Sequence, residues 1–475
     1  MNSPVPAPGT LGALRDSGHV YRSVKAEVRE NLIARLAAGE PSLPGMVGFD
    51  HTVVPEVERA LLAGHDVVLL GERGQGKTRL IRTLLGLLDE WTPAIDGCEI
   101  NDHPFAPACR RCQALVAECG EATPVVWRHR EDRYGEKLAT PDTSVGDLIG
   151  DIDPIKVAEG RTLGDPETVH YGLIPRSNRG IFSVNELPDL AERIQVALLN
   201  VLEERDIQVR GYRLRLPLDL LLVASANPED YTNRGRIITP LKDRFGAEVR
   251  THYPIELADE LALVRQEAAI VWGLDGTHAA PVVPDHLVEI VARFARAVRE
   301  APQVDQRSGV SARFAIAAVE TLAASAVRRA ALAGEPVAVA RVCDLAAVVP
   351  ASRGKVEFED SDSGREEEVL HHLLRRATAE TFRARLAGLD LSALRERFDD
   401  GATVETGDLV SGAELLRQVG AFEGLAGLLG RLELDEGMED PGLAAAAVEF
   451  ALEGLYLNRR LSKEDFGPGR TLYGG

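Results

Sequence analysis

Apolar residues in this chain change their spacing along its length, and the changes divide it. Tyr21 to Leu36 carries apolar positions at helical intervals with charges between them, and Val54 to Leu62 repeats the pattern after a break at Pro41–Gly45, so both segments read as helices. From residue 66 to about 253 short apolar runs appear, at 66–70, 124–127, 180–185, 219–225 and 247–252, interspersed with helical stretches. Strands alternating with helices predict a parallel sheet covered on both faces. From 255 to about 350 the chain is Ala-rich and helical in spacing, Gly354 to Glu368 is a Gly/Ser/acidic linker, and 369–460 is helical again before a Gly/Pro-rich tail that reads as mobile. Residues 1–17 read as a flexible lead. The expected divisions are a lead and helix at 1–39, an α/β domain at 40–253 with an insertion at 96–123, a helical domain at 254–350, a linker at 351–368 and a C-terminal helical region at 369–475.

Composition narrows the class of function. With 54 Lys and Arg against 74 Asp and Glu, the net charge of −20 argues against a dedicated nucleic-acid binder. No apolar run reaches the roughly 18 residues that span a bilayer, and the first residues lack a charged-then-apolar signal, which predicts a cytoplasmic protein and no membrane partner. Five cysteines, four of them between 98 and 119, fit a reducing compartment.

The chemistry begins where the first apolar run ends. Gly71, Glu72, Arg73, Gly74, Gln75, Gly76, Lys77 and Thr78 form a complete G-x-x-x-x-G-K-[ST] loop between Asp66–Leu70 and a helix starting near Lys77. Glycines there let backbone N–H groups close around a polyphosphate, Lys77 can reach its β/γ-phosphates, and Thr78 can ligate Mg²⁺. ATP and Mg²⁺ are the expected cofactors. Two later apolar runs end in polar groups. After Ile181–Val184 come Asn185 and Glu186, and after Leu221–Ala226 comes Asn227. Glu186 suits a general base for an attacking water, Asn185 brings an amide oxygen to the Mg²⁺ shell without a charge, and Asn227 can contact the γ-phosphate or that water. Ligands of open α/β sheets bind at the carboxyl ends of strands, where all three would sit.

Taken in order, Gly71–Thr78, Asn185-Glu186, Asn227, Leu241-Lys242-Asp243-Arg244-Phe245 and Ser308-Gly309-Val310-Ser311-Ala312-Arg313 resemble AAA+ ATPases of the magnesium-chelatase I-subunit and MoxR branch. Thr143 to Arg250 carries the likeness most closely, and it covers roughly 40–350. The resemblance implies an α/β P-loop AAA+ sheet flanked by helices, a helical lid and a further C-terminal helical region. It implies that Arg244 is an arginine finger supplied to a neighbouring subunit, and that Arg313, or less strongly Arg307, is the second sensor. It also implies a homo-oligomer, a hexameric ring, two insertions at Thr143–Thr168 and Asp206–Leu214, and a protein partner with an integrin-like metal-binding domain. An ATP-hydrolysing motor acting on a partner is the first functional reading. A nucleotide-gated scaffold with little turnover is the second, motivated by Asn185 where an acid is usual. An enhancer-binding activator would need a GAFTGA loop, which the sequence lacks.

Cys98, Cys109, Cys112 and Cys119 lie within the 96–123 insertion. The Cys109/Cys112 pair has ligand spacing, which predicts a structural zinc ion completed by Cys98 with Cys119, or by His103 or His129.

Overall fold

The structure is a computed structural model describing residues 4–152, 155, 158, 168–203, 207–209, 212–214, 216–228, 236–270, 280–305, 309–359, 364–399, 401–465 and 469–475. It divides into two compact units, Met1–His252 and Tyr253–Gly475.

The first unit is built on five parallel strands, β1 (Val67–Leu70), β2 (Tyr134–Leu138), β3 (Gly180–Asn185), β4 (Leu220–Ala226) and β5 (Ala247–Arg250), in the spatial order β5-β1-β4-β3-β2. Every residue of β1, β3 and β4 is buried, which is why these runs show no polar alternation. Alternate side chains go to opposite faces. Val67, Leu69, Leu221 and Val223 pack with Val28, Leu32, Val57 and Leu80, whereas Val68, Leu222, Ala224 and Phe182 pack with Ile95, Ile100, Ile194 and Leu198. The chain leaves β1 for the far edge strand β2 and later returns on its other side, so a crevice opens at the carboxyl end of β1. A buried ion pair braces this unit. The Arg133 guanidinium donates two bonds of 2.7 Å to the Glu27 carboxylate and a third of 2.7 Å to the carbonyl of Arg179.

Three expectations change here. The run at 124–127 is not a strand of the main sheet. Val125–His129 pairs antiparallel with Trp91–Ile95 instead. The edge place is taken by β2, whose sequence YGEKL is half-exposed and so carries no apolar run. Residues 4–17 are not a flexible lead. Thr10 caps a short helix, Leu11–Asp16, whose Leu11 and Leu14 are buried. Backbone bonds from Leu11 to Thr123 and from Val125 to Gly9 hold the segment, and Trp127 Nε1 donates to the carbonyl of Pro8 at 2.8 Å. The insertion at 96–123 is likewise joined to the main core, through Cys98, Ile100, Cys109 and Cys112.

The second unit is mainly helical, with Asp285–Glu300, Ala312–Ala333, Glu366–Arg385 and Pro441–Leu457 as its longest helices. Val264, Phe294, Phe314, Leu370, Phe450 and Tyr473 belong to one apolar core, so the stretches 254–350 and 369–475 share it. Gly454 lies where a Cβ would come within 1.8 Å of the Phe382 ring, allowing two of these helices to approach closely. The described part of the linker is packed: the Asp305 N–H donates to the carbonyl of Glu357 and the Glu359 N–H to the carbonyl of Gln303. The tail is a strand rather than a loose end, since Arg470–Gly474 pairs with both Val404–Gly407 and Ser462–Asp465. Among the described residues, no helix is long and apolar enough to cross a membrane.

Candidate nucleotide site

The glycine-rich loop leaves the end of β1 flanked by β4 and β5. The Gly71 N–H donates to the carbonyl of Ala226 at 3.2 Å, and the Thr251 N–H donates to Leu70 at 2.9 Å. A side chain at Gly71 would come within 1.9 Å of Thr251 Oγ1 and 2.3 Å of Gln75 Oε1, so only glycine fits between them. Gly74 and Gly76 have φ of +73° and +78°, a left-handed conformation that turns the loop back toward the helix Lys77–Thr83.

Lys77 is buried at the start of that helix. Its ammonium donates to the carbonyls of Gly71 and Glu72, the latter at 2.8 Å, and to Asn227 Oδ1 at 2.8 Å. The other end of the same amide donates, from Nδ2 to Glu186 Oε2 at 2.5 Å. Lys77, Asn227 and Glu186, which follow β1, β4 and β3, are thus linked in series by one amide at the carboxyl end of the sheet. Glu186 has φ of +56°, a backbone region that non-glycine residues seldom occupy. The bend ends β3 abruptly.

Asn185, one residue earlier, accepts from Ser225 Oγ at 3.2 Å and donates from Nδ2 to Glu136 Oε1 at 2.6 Å. Glu136 stands on β2, and its other oxygen accepts from Arg82 at 3.0 Å and from Tyr134 at 3.0 Å. Burial pushes the Tyr134 hydroxyl up to about 12, so it stays a donor. Glu136 was missed from sequence because nothing in YGEKL marks a buried contact. The available signal is an acid two residues after Tyr134, on the strand that pairs in register with β3.

The donor types fit a magnesium–nucleotide complex: the glycine loop, Lys77, Asn227 and Glu186 meet at the carboxyl end of the sheet, Thr78 follows Lys77 on the helix, and Asn185 precedes Glu186. Glu72, Arg73 and Gln75 lie in the same loop, with Gln75 Oε1 accepting from Thr251 Oγ1 at 2.8 Å. Arg244 lies apart from this group, at the end of the helix Thr239–Arg244, where it pairs with Glu203 and Asp243, each at 3.1 Å. Arg313 belongs to the second unit, exposed in the first turn of the helix Ala312–Ala333. Arg307 lies outside the described residues, as does most of 153–167. Of the second insertion, Ile207–Val209 pairs antiparallel with Tyr212–Leu214, as a hairpin requires.

A second cluster forms at the insertion. The ligand atoms of Cys98, Asp102, Cys109 and Cys112 all lie within 4.8 Å of one another. Cys119 is not among them, because it ends the helix Arg110–Cys119 that Cys109 caps. Nor are the two histidines. His103 accepts from the N–H of Phe105 at 3.0 Å and meets His19 at 3.2 Å, and His129 meets the Trp91 ring edge to face. Asp102, which the spacing of cysteines does not reveal, takes the fourth place. Hydrogen bonds from Cys109 and then Cys112 hold the Cys98 thiol well below the usual thiol range.

Comparison with known proteins gives a consistent relationship. The family described as "Sigma-54 interaction domain" matches residues 161–244, the span that holds β3, β4, Glu186, Asn227 and Arg244. The "Magnesium-chelatase 38 kDa subunit" of Cereibacter sphaeroides is 28% identical over 215 residues, 43% of this chain and 56% of that protein. The "Magnesium-chelatase subunit ChlI" of Guillardia theta is 30% identical over 212 residues, 42% of this chain and 55% of that protein. The chain therefore spans a little over half the length of these curated relatives. A solved complex between subunits BchI and BchD of magnesium chelatase is 23% identical, covering 64% of this chain and 91% of that one, with a TM-score of 0.33 that marks only a loose likeness.

Proposed function

Because the chain carries an AAA+ ATPase module whose curated relatives are magnesium-chelatase I subunits, we propose that it hydrolyses ATP as a subunit of a ring motor that remodels or activates a partner protein. The observation that carries this reading is the series Lys77–Asn227–Glu186, in which one amide ties the phosphate-binding cation to the candidate base.

Bound magnesium–ATP would supply the phosphoanhydride. Lys77 would exchange its loop carbonyls for phosphate oxygens, and Thr78 with the amide oxygen of Asn185 would hold the metal ion. Glu186 takes the proton of the attacking water. Asn227 fixes the Glu186 carboxylate through Nδ2, so a change at Lys77 reaches the base through a single side chain. Glu136 is a positioning residue: it holds the Asn185 nitrogen, which sets where the amide oxygen faces, and it returns a negative charge to a metal shell that Asn185 leaves neutral.

Arg244 would act in trans. Its place on the surface suits insertion into a neighbour's site, where a guanidinium can bind phosphate oxygens bidentately. Arg313 would couple the nucleotide to the helical unit. The ring would be a hexamer, and the partner would bear an integrin-like metal-binding domain; the likeness to magnesium-chelatase I subunits supports this reading. A second reading, a nucleotide-gated scaffold with little turnover, rests on Asn185, both ends of whose amide are already engaged. Steady-state ATPase assays on wild type, Glu186→Gln and Arg244→Ala, with sedimentation in ATP, test the proposal. Turnover lost in both variants, with ATP binding and assembly kept by Glu186→Gln, supports the motor. A wild-type rate no higher than that of Glu186→Gln would favour the scaffold.

A further inference from the structure

We propose that Cys98, Asp102, Cys109 and Cys112 form a closed, four-ligand structural zinc site that pins the 96–123 insertion to the α/β core. The first ground is the ligand set. Three thiols, all free of disulfides, and one carboxylate present their ligand atoms within 4.8 Å of one another. Tetrahedral ligands at about 2.0–2.3 Å from zinc stand roughly 3.3–3.8 Å apart, so closing onto an ion asks for shifts on the order of 1 Å.

The second ground is a buried carboxylate oxygen without a partner. Asp102 is 1% exposed, and its Oδ2 accepts from the N–H groups of Ala108 at 3.1 Å and Cys109 at 2.8 Å. Its Oδ1 is buried with no hydrogen-bond partner, and among the described residues no Lys, Arg or His is bridged to this carboxylate. A buried carboxylate oxygen left so is costly, and a cation is what would satisfy it.

Third, the backbone already supports the sulfurs as acceptors. The Asp102 N–H donates to Cys98 Sγ at 3.3 Å and the Cys112 N–H donates to Cys109 Sγ at 3.4 Å. Such bonds orient the sulfurs as ligands and offset thiolate charge. The set Cys₃Asp carries the same charge as Cys₄, a familiar structural zinc set. With four protein ligands, all nearly inaccessible to solvent, no position is left for water or substrate, so the role is structural.

The geometry also selects against the other candidate ligands. Cys119 lies seven residues beyond Cys112 on the same helix, about 10 Å along the axis. Thiolates exclude magnesium and calcium, which prefer oxygen donors. Iron held by the same ligands is the remaining chemistry, and the experiment distinguishes it.

The full chain, purified in reductant and without chelator, is analysed for metals by mass spectrometry and then titrated with an organomercurial while released zinc is followed. The expected result is one zinc per chain in wild type and in Cys119→Ser, and release as thiols are blocked. Cys98→Ser and Cys112→Ser should fall to a small fraction of one, and Asp102→Asn should hold zinc 10- to 100-fold more weakly. Cobalt exchanged into wild type should give the absorption of tetrahedral thiolate ligation. Absence of zinc from wild type, even after reconstitution with zinc chloride and desalting, would overturn the site, as would iron in its place or equal loss in Cys119→Ser. If Cys98→Ser and Cys112→Ser do not fold, the wild-type stoichiometry, the mercurial release and the cobalt spectrum decide the matter alone.

Discussion

In the nucleotide cleft the charged groups answer one another: Lys77 donates to Asn227, and Asn227 donates to Glu186. In the cysteine pocket, on the same unit, Asp102 keeps an oxygen with no hydrogen-bond partner beside three sulfurs. The first arrangement is complete as protein and can release its groups to a ligand that comes and goes. The second is the arrangement that the proposed zinc ion would complete. The difference teaches that a site for a transient ligand is built from exchangeable internal bonds, whereas a site for a resident ion leaves a deficit that the ion removes. Function should therefore be separable from stability in the cleft, and metal should be inseparable from stability in the pocket.

The widest separation is expected at Glu186. Glu186→Gln keeps the bond from Asn227 but removes the base, so turnover should fall about 10²- to 10⁴-fold while ATP affinity and the melting temperature hardly move. A coupled-enzyme ATPase assay beside calorimetric titration with ATP checks this. A variant that melts early would mean that the cleft, too, is structurally dependent on its charges.

Stripping zinc should do the reverse. If free zinc stands 1,000-fold above its dissociation constant, its removal costs the first unit about 4 kcal/mol. Thermal unfolding with and without chelator, followed by far-UV circular dichroism, reads this as a lower first transition, and readdition of zinc restores it. No shift on chelation would erase the contrast between the two sites.

The two sites also differ in how far the sequence disclosed them. The phosphate loop is contiguous, and β3 and β4 are buried on both faces, so their apolar runs and the polar residues that end them were visible without coordinates. Asn227 and Glu186 could be placed at one edge, but not the bond between them, because a hydrogen bond across two strands leaves no mark on either. Asp102 was invisible for a different reason. An aspartate in a loop is ordinarily solvated, and only the fold buries Asp102 under the N–H groups of Ala108 and Cys109 and brings it to the three sulfurs. The N-terminal lead and the C-terminal tail show the same limit. Both segments are rich in Pro and Gly, yet Leu14 and Tyr473 are buried almost completely, and these few anchors fix each segment. An edge strand such as Tyr134–Leu138 is half-exposed and carries polar residues that look like loop.

Glu136→Gln probes the cleft more gently. The glutamine can still accept from the Asn185 amide, but the negative charge is gone, so Mg²⁺ should be held 10- to 100-fold more weakly, an effect typical of outer-shell partners. ATPase rates measured across a magnesium titration would show the shift, with the maximum rate recovered at high magnesium. If the maximum itself drops and magnesium cannot restore it, Glu136 does more than orient Asn185.

The smallest effect is expected at Cys119, and it bears on the pocket more than its size implies. Cys119 is the last residue of the helix Arg110–Cys119 and is half-buried, whereas Cys112, in the first turn, has no exposed surface. Replacing a half-exposed thiol by a hydroxyl at a helix end should change stability by less than about 0.5 kcal/mol. Cys112→Ser leaves one fewer thiolate for the ion and a hydroxyl in an apolar surround, so it should lose the metal and with it most of the zinc-dependent stability. Urea denaturation of the two variants side by side, each with and without chelator, gives the sharpest form of the contrast. Chelator should move the transition of Cys119→Ser as far as that of wild type and leave Cys112→Ser where it already is. Equal behaviour of the two would mean that the cysteines act as packing and not as ligands.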